Sequence, residues 1–260
     1  MPSEPLPRQP RDLGGIRVVV TGATSGLGVA MAAALAGAGA RVMVTGRDQA
    51  RADAAARELG PAAVGCQLDV RDERSVAACV SQARDAWGGI DLLVNNAGIG
   101  MRTVNPRFLT EPQPFWEVTP AGFRDVLETK VTGCFLMARE VVPLMIAQGG
   151  GRVVNISMNE QTMVRRGFVP YGPAGAGVEA LSRVMAADLA GSPVTVNILL
   201  PGGGTRTGMV PDDAPAEARA TLLDPAVMGP PIVWLASGQA AGVHDQRIVA
   251  SQFSPPPAAP

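Results

Sequence analysis

The chain is poor in aromatic side chains, 4% of 260 residues, and it has a single tyrosine and a single histidine. His244, near the end of the chain, reads as structural. Charge is sparse and balanced: 17% of residues are charged and the net charge is −1, which gives no electrostatic footprint for nucleic acid or an anionic membrane. The three cysteines, Cys66, Cys79 and Cys134, are odd in number and scattered through apolar contexts. They form neither a disulfide framework nor a metal-ligand spacing, and they read as reduced buried thiols of a cytoplasmic protein. No apolar run reaches membrane-spanning length, and the N-terminal "MPSEPLPRQPRDLGG" has prolines and mixed charge in place of an apolar leader core. What is abundant is apolar residue: 47% of the chain, enough for one substantial core in a single α/β domain.

Short apolar runs alternate with helical patterns along that domain. Strands are expected at Ile16–Val20, Arg41–Val44, Ala63–Leu68, Ile90–Val94, Arg152–Ile156, Val194–Leu199 and Gln246–Ala250. Helices are expected between them at 27–37, 48–59, 72–86, 120–147, 171–190 and 225–236. The alternation specifies a doubly wound, Rossmann-type parallel sheet of seven strands with helices on both faces. Thr119-Pro120 gives the long fourth helix an N-cap followed by proline at its first position. The domain is expected over 15–250, between a disordered tail at 1–14 and a proline-rich tail at 251–260.

The first chemical motif is "VVVTGATSGLG", a strand, a glycine-rich turn and a helix start. Glycine lets the backbone turn tightly and approach a pyrophosphate, which then sits on the N-terminal dipole of the helix. Thr21-Gly22-Ala23-Thr24-Ser25-Gly26-Leu27-Gly28 resembles the TGxxxGxG signature of the short-chain dehydrogenase/reductase family. The resemblance continues through Asp69-Val70, Asn95-Asn96-Ala97-Gly98, Tyr171 and Pro201-Gly202-Gly203, and it spans residues 14 to 250. It implies a dinucleotide cofactor held by Gly22, Thr24, Ser25, Gly26, Leu27 and Gly28, by Asp69 and Val70 at the adenine, by Asn96, Ala97 and Gly98, and by Pro201, Gly202 and Thr205. It also implies a homodimer or homotetramer formed through the fourth and fifth helices.

The end of the second strand bears on cofactor choice. Family members that prefer NAD place an acid there for the ribose hydroxyls; here Thr45 takes that position and Arg47 follows. A guanidinium at this point suits a 2′-phosphate through charge-assisted, bidentate contacts, so NADP(H) is favoured over NAD(H).

The family's carbonyl chemistry uses an asparagine, a serine, a tyrosine and a lysine, and only the tyrosine is matched. Its lysine position, four residues after Tyr171, is Gly175; its serine position, thirteen residues before, is Met158; its asparagine position is Lys130. Ser157 is adjacent, but strand alternation turns it to the opposite face unless the strand end is bulged. Tyrosine without a neighbouring cation is a poor base near neutral pH, although it can still donate a proton. Lys130 could supply that cation from a new direction, or it could reach solvent or pair with Glu128, Glu160 or Glu179. Glu160 and Gln161 are the candidates for a polar substitute for the serine.

Between Gly98 and the fourth helix lies a long insertion containing Phe108, Phe115 and Trp116, either the rim of a substrate pocket or a packed surface loop. Met163, Phe168 and Met209 suit an apolar or aromatic small molecule, and no metal site is expected. Three functions stay open: an NADP(H)-dependent reductase in which Tyr171 delivers the proton, a non-redox enzyme on the same fold such as a cyclase, isomerase, dehydratase or lyase, and a catalytically silent nucleotide-binding partner.

Overall fold

The structure is a computed structural model, and it describes residues 12–255. Seven strands, β1 (Arg17–Val20), β2 (Arg41–Gly46), β3 (Ala63–Gln67), β4 (Leu92–Asn95), β5 (Gly151–Ile156), β6 (Val194–Leu200) and β7 (Arg247–Val249), form one parallel sheet in the order β3-β2-β1-β4-β5-β6-β7. Every expected strand is present, because buried parallel strands carry near-continuous apolar runs that stand out from their flanks. The order reverses between β1 and β4. In a doubly wound sheet that reversal opens the crevice in which ligands bind, beyond the strands' carboxyl ends.

The helices are α1 (Gly26–Gly37), α2 (Gln49–Leu59), α3 (Glu73–Trp87), α4 (Pro120–Leu127), α5 (Gly133–Ala147), α6 (Glu160–Met163), α7 (Tyr171–Asp188), α8 (Ala216–Ala220) and α9 (Gly229–Ala236). One face of the sheet is covered by α1 and α9 through Met31, Leu35, Ile232 and Leu235. The other is packed by α3, α5 and α7 through Val76, Val80, Met137, Val141 and Ala186. The Thr119 hydroxyl accepts from the Gly122 amide and Pro120 opens α4, as the N-cap pattern requires. The three cysteines are free thiols and buried, and His244 is structural, its Nδ1 accepting from the Val196 amide.

Three expectations need correction. The helix expected unbroken over 120–147 is interrupted by a π-helical segment, Glu128–Thr132, with Lys130 at its centre. The ordered domain runs past its expected limits: Leu13 is buried and donates its amide to Ala38, and Phe253 packs on Trp234 with ring centroids 5.3 Å apart. Each places an apolar side chain against the core cluster that α1 and α9 cover. The remainder of both expected tails, 1–11 and 256–260, lies outside the described residues.

Candidate active site

The glycine-rich turn is built by exclusion of side chains. Gly22 and Gly26 adopt φ of 63° and 57°, which favour glycine, and a Cβ on Gly22 would lie 2.9 Å from the Ala97 Cα. A Cβ on Gly28 would run into the Gly22 carbonyl. The turn is tied to the end of β4 by Thr21, whose hydroxyl accepts from the Asn96 and Ala97 amides, and by the Asn96 side-chain amide, which donates to the Thr21 and Gly22 carbonyls. Ser25 caps α1 in position only. Its side chain makes no capping bond, so the first amides of the helix are free to meet an anion, and the cradle fits a dinucleotide pyrophosphate.

At the adenosine end, Thr45 is fully buried and its hydroxyl donates to the Val20 carbonyl, so the position of the family's acid is spent inside the sheet. Arg47 is exposed, and no ion pair engages it among the described residues. Asp69 is held by Arg71 in a two-pronged pair with contacts of 2.6–3.2 Å, and the Arg71 guanidinium keeps its carboxyl below the usual carboxylate range. The start of α5 approaches closely here, since a Cβ on Gly133 would meet Val70 Cβ at 2.9 Å.

The catalytic end is reorganised around two replacements that interlock. The Met158 side chain fills the space a residue at 175 would use: an ideal Cβ on Gly175 lies 2.7 Å from Met158 Cε, 2.9 Å from Sδ and 3.1 Å from Cγ. Ser157 donates to Glu179 Oε1 at 2.6 Å. Glu179 also pairs with Arg247, whose second guanidinium nitrogen donates to the Met158 carbonyl. This cluster fixes the end of β5 with the thioether against Gly175 and the hydroxyl against Glu179, one turn apart on α7. Glu160 and Gln161 are exposed on α6.

Lys130 takes neither of the outward routes open to it. It is buried, it forms no ion pair among the described residues, and its Nζ lies 5.2 Å from the centroid of the Tyr171 ring. Its stem runs along Gly98, where a Cβ would sit 3.2 Å from Cγ and 3.3 Å from Nζ. Burial pushes the ammonium down to about 8, with Cys134 as the nearest opposing influence, and burial pushes the Tyr171 phenol above its usual value. Of the 22 lysine and arginine residues 21 are arginine, and Lys130 is the one lysine. The only lysine and the only tyrosine of the chain therefore meet in the crevice at the sheet's reversal point.

The far wall comes from two loops. From the insertion, Phe108 turns inward against Phe168 and Tyr171, while Phe115 and Trp116 are exposed. The segment after β6 crosses the crevice: Thr207 comes within 3.2 Å of an ideal Cβ on Gly26, and Met209 Sδ lies 3.9 Å from the Tyr171 hydroxyl. Arg102 straps it down by donating to the Gly208 and Val210 carbonyls and pairing with Asp212. Neither Arg102 nor the apposition of Met209 to Tyr171 has a motif that sequence reading could use.

The family model for short chain dehydrogenase matches residues 17–218. The chain belongs to the short chain dehydrogenase family. Within this family it is 33% identical over 245 residues to the 3-oxoacyl-[acyl-carrier-protein] reductase FabG of Vibrio cholerae, covering 91% of this chain and 96% of that protein. It is 37% identical over 207 residues to the cis-4-hydroxycyclohexanecarboxylate dehydrogenase of Sinomonas cyclohexanicum, covering 78% of each. Among solved structures it is similar to the 3-ketoacyl-(acyl-carrier-protein) reductase of Brucella melitensis complexed with NADH, with a TM-score of 0.81, 29% identity, and coverage of 92% of this chain and 97% of that one. These family relatives are oxidoreductases. No helix of the described residues is long and apolar enough to cross a membrane.

Proposed function

We propose that the protein is an NADP(H)-dependent reductase of a small apolar or aromatic substrate bearing a C=O, C=N or C=C bond, with proton delivery rebuilt around Tyr171 and Lys130. The observation that carries this reading is the position of the one buried cation among the described residues over the one tyrosine, beside an intact dinucleotide cradle. Gly22, Thr24, Ser25, Gly26, Leu27 and Gly28 would hold the pyrophosphate, Asp69 and Val70 the adenine, and Asn96, Ala97, Gly98, Pro201, Gly202 and Thr205 the nicotinamide half. Arg47, with Thr45 turned into the sheet, favours the 2′-phosphate of NADP(H). When bound, this cofactor supplies a hydride.

The chain's own part is the proton. Tyr171 donates from its hydroxyl, and the Lys130 ammonium, 5.2 Å from the ring centroid, stabilises the phenolate that develops; two unit charges about 5 Å apart interact by about 3 kcal/mol at an effective dielectric of 20. Met158 forms an apolar wall and cannot orient a carbonyl oxygen, so a conjugated alkene, in which hydride addition leaves an enolate to take the Tyr171 proton, suits the pocket better than a simple ketone. Phe108, Phe168 and Met209 line the same side. The outward Phe135, Ile146 and Val184 on α5 and α7 fit assembly as a homodimer or homotetramer.

A second reading, a non-redox enzyme on this fold, is favoured by the Met158–Gly175 exchange, which removes two polar groups of the family's redox machinery together. Titration with NADPH and NADH by calorimetry, followed by nicotinamide absorbance against ketones, imines and enones, separates these readings. NADPH binding with substrate-dependent oxidation supports the reductase. Binding without turnover moves the assignment to non-redox catalysis, and the absence of binding to a silent partner.

A further inference from the structure

Beside Lys130 lies a small, partly open cavity of about 10 Å³, lined by Thr21, Asn95, Thr129, Lys130 and Cys134 among apolar neighbours, with room for the centre of one water molecule. The hydrogen bonds of its polar groups can be traced one by one. Thr21 donates its hydroxyl to Val94 and Thr129 donates to Asp125, both to backbone carbonyls. The Cys134 thiol faces the Asn155 Oδ1 at 3.3 Å. Only the Lys130 ammonium keeps its donors unspent.

The acceptor is identified by a chain that starts on α7. The Ser182 hydroxyl donates to the Val178 carbonyl at 2.7 Å, so it can only accept from Asn155 Nδ2, 2.8 Å away. That orients the Asn155 amide and makes its Oδ1 the acceptor of Asn95 Nδ2 at 2.9 Å. The orientation of Asn95 is thereby fixed without reference to hydrogen positions. Its Oδ1 is left buried with no partner, in a residue only 7% exposed. A buried carbonyl oxygen without a partner carries the full cost of its lost hydration.

We infer that one buried water bridges Lys130 Nζ and Asn95 Oδ1, making Asn95 the positioning residue that holds the ammonium over Tyr171 and anchoring it through Asn155 and Ser182 to the tyrosine's own helix. The bridge gives each unspent group its partner within one cavity, and it ties the π-helical segment that carries Lys130 to β4, β5 and α7. An acceptor on the ammonium favours its charged form, so it opposes the effect of burial. Tyr171 and Cys134 are the other titratable groups facing Nζ, and no carboxylate pairs with it. The inference rests on Lys130 being the working cation of the proposed function, but its test needs neither cofactor nor substrate.

Because Lys130 is the only lysine, full-length protein labelled with 13C,15N-lysine gives one side-chain signal, whose pH titration reads this amine alone. Wild-type protein is expected to titrate near 8. Asn95→Asp, which puts a carboxylate at the acceptor position, is expected to raise the midpoint by about 1 to 3 pH units, and Asn95→Leu, which removes the acceptor and excludes water, to lower it by about 1. General loosening of the core would solvate the amine and raise the midpoint in both variants, so opposite shifts distinguish a bridge from a merely structural role. A rise or no change in Asn95→Leu overturns the inference, whichever way the cofactor and turnover assays fall.

Discussion

If the Met158 side chain fills the slot of the missing lysine, a methyl group added at Gly175 should change the sign of its effect with the residue at 158. In wild-type protein Gly175→Ala places a Cβ at 2.7 to 3.1 Å from three atoms of Met158. The Cε and Sδ atoms can swing aside, but Cγ is closer to the backbone and cannot do so freely. Such overpacking costs about 1–3 kcal/mol, against a gain of up to about 1 kcal/mol for replacing glycine inside a helix. The net change in the wild-type background is therefore a loss of up to about 2 kcal/mol. Met158→Ala alone costs about 2–5 kcal/mol, the usual range for truncating a buried methionine. It also empties the slot, so in that background Gly175→Ala keeps the helix term alone and stabilises by about 1 kcal/mol. Denaturant unfolding of the four proteins, compared at equal slopes, gives the coupling directly, with an expected magnitude of about 1–3 kcal/mol. Additivity within about 0.5 kcal/mol, or equal stabilisation by Gly175→Ala in both backgrounds, would refute the claim that the two replacements are one packing event.

Lys130→Met should remove catalysis while strengthening the fold in a pH-dependent way. The folded amine titrates near 8 and the unfolded one near its ordinary 10.5, so below pH 8 both are charged and the burial penalty is complete. Between those values the unfolded chain holds the extra proton and wild-type stability gains with rising pH; the variant's advantage, roughly 3 kcal/mol at pH 7, should fade by about pH 10.5 in chemical denaturation. In a nicotinamide absorbance assay the same variant should lose about 10²- to 10⁴-fold in rate, the range for a positioned proton-transfer group. Arg47→Ala should weaken NADPH by about 10- to 100-fold in calorimetry and leave NADH nearly unchanged, as expected for loss of charged hydrogen bonds to a 2′-phosphate. Gly28→Ala, whose new Cβ meets the Gly22 carbonyl, should abolish binding of both nucleotides or the fold itself, read by calorimetry and thermal unfolding.

The sheet was legible because parallel strands buried on both faces leave apolar runs that end sharply at polar or glycine residues. The glycine turn was legible for a related reason: at Gly22 and Gly28 the backbone itself demands the residue, so the chemistry is written in residue type. The catalytic end was only half legible. Reading Met158 and Gly175 as two separate losses misses that one fills the space of the other, because a contact between β5 and α7 leaves no mark in local sequence. Lys130 was recognised as a candidate, but its direction was not derivable. "ETKVT" contains neither glycine nor proline to announce a π-helical segment, and a change of helical period turns every following side chain to a new azimuth. Strand alternation did not separate Ser157 from Met158: β5 ends at Ile156, and beyond it Ser157 meets Glu179 while Met158 meets Gly175, one turn apart on α7.

The composition then bears on what Lys130 is for. Elsewhere the chain uses arginine for every basic position, including Arg71, Arg102 and Arg247, which hold carboxylates and backbone carbonyls in fixed two-pronged contacts. Arginine cannot be deprotonated in a protein, and its planar fork needs partners placed to match; an amine is compact and changes charge when buried. The one lysine side chain is also, among the described residues, the one cation buried without a carboxylate, in a crevice and on an irregular helix. As packing alone this arrangement is unfavourable, since burying an ammonium costs stability at neutral pH and an apolar side chain of the same length would relieve it. Local rules are broken where a site requires it. A titrating group held against Tyr171 is such a requirement, and it explains together the lysine, the π-helical segment and the depressed titration.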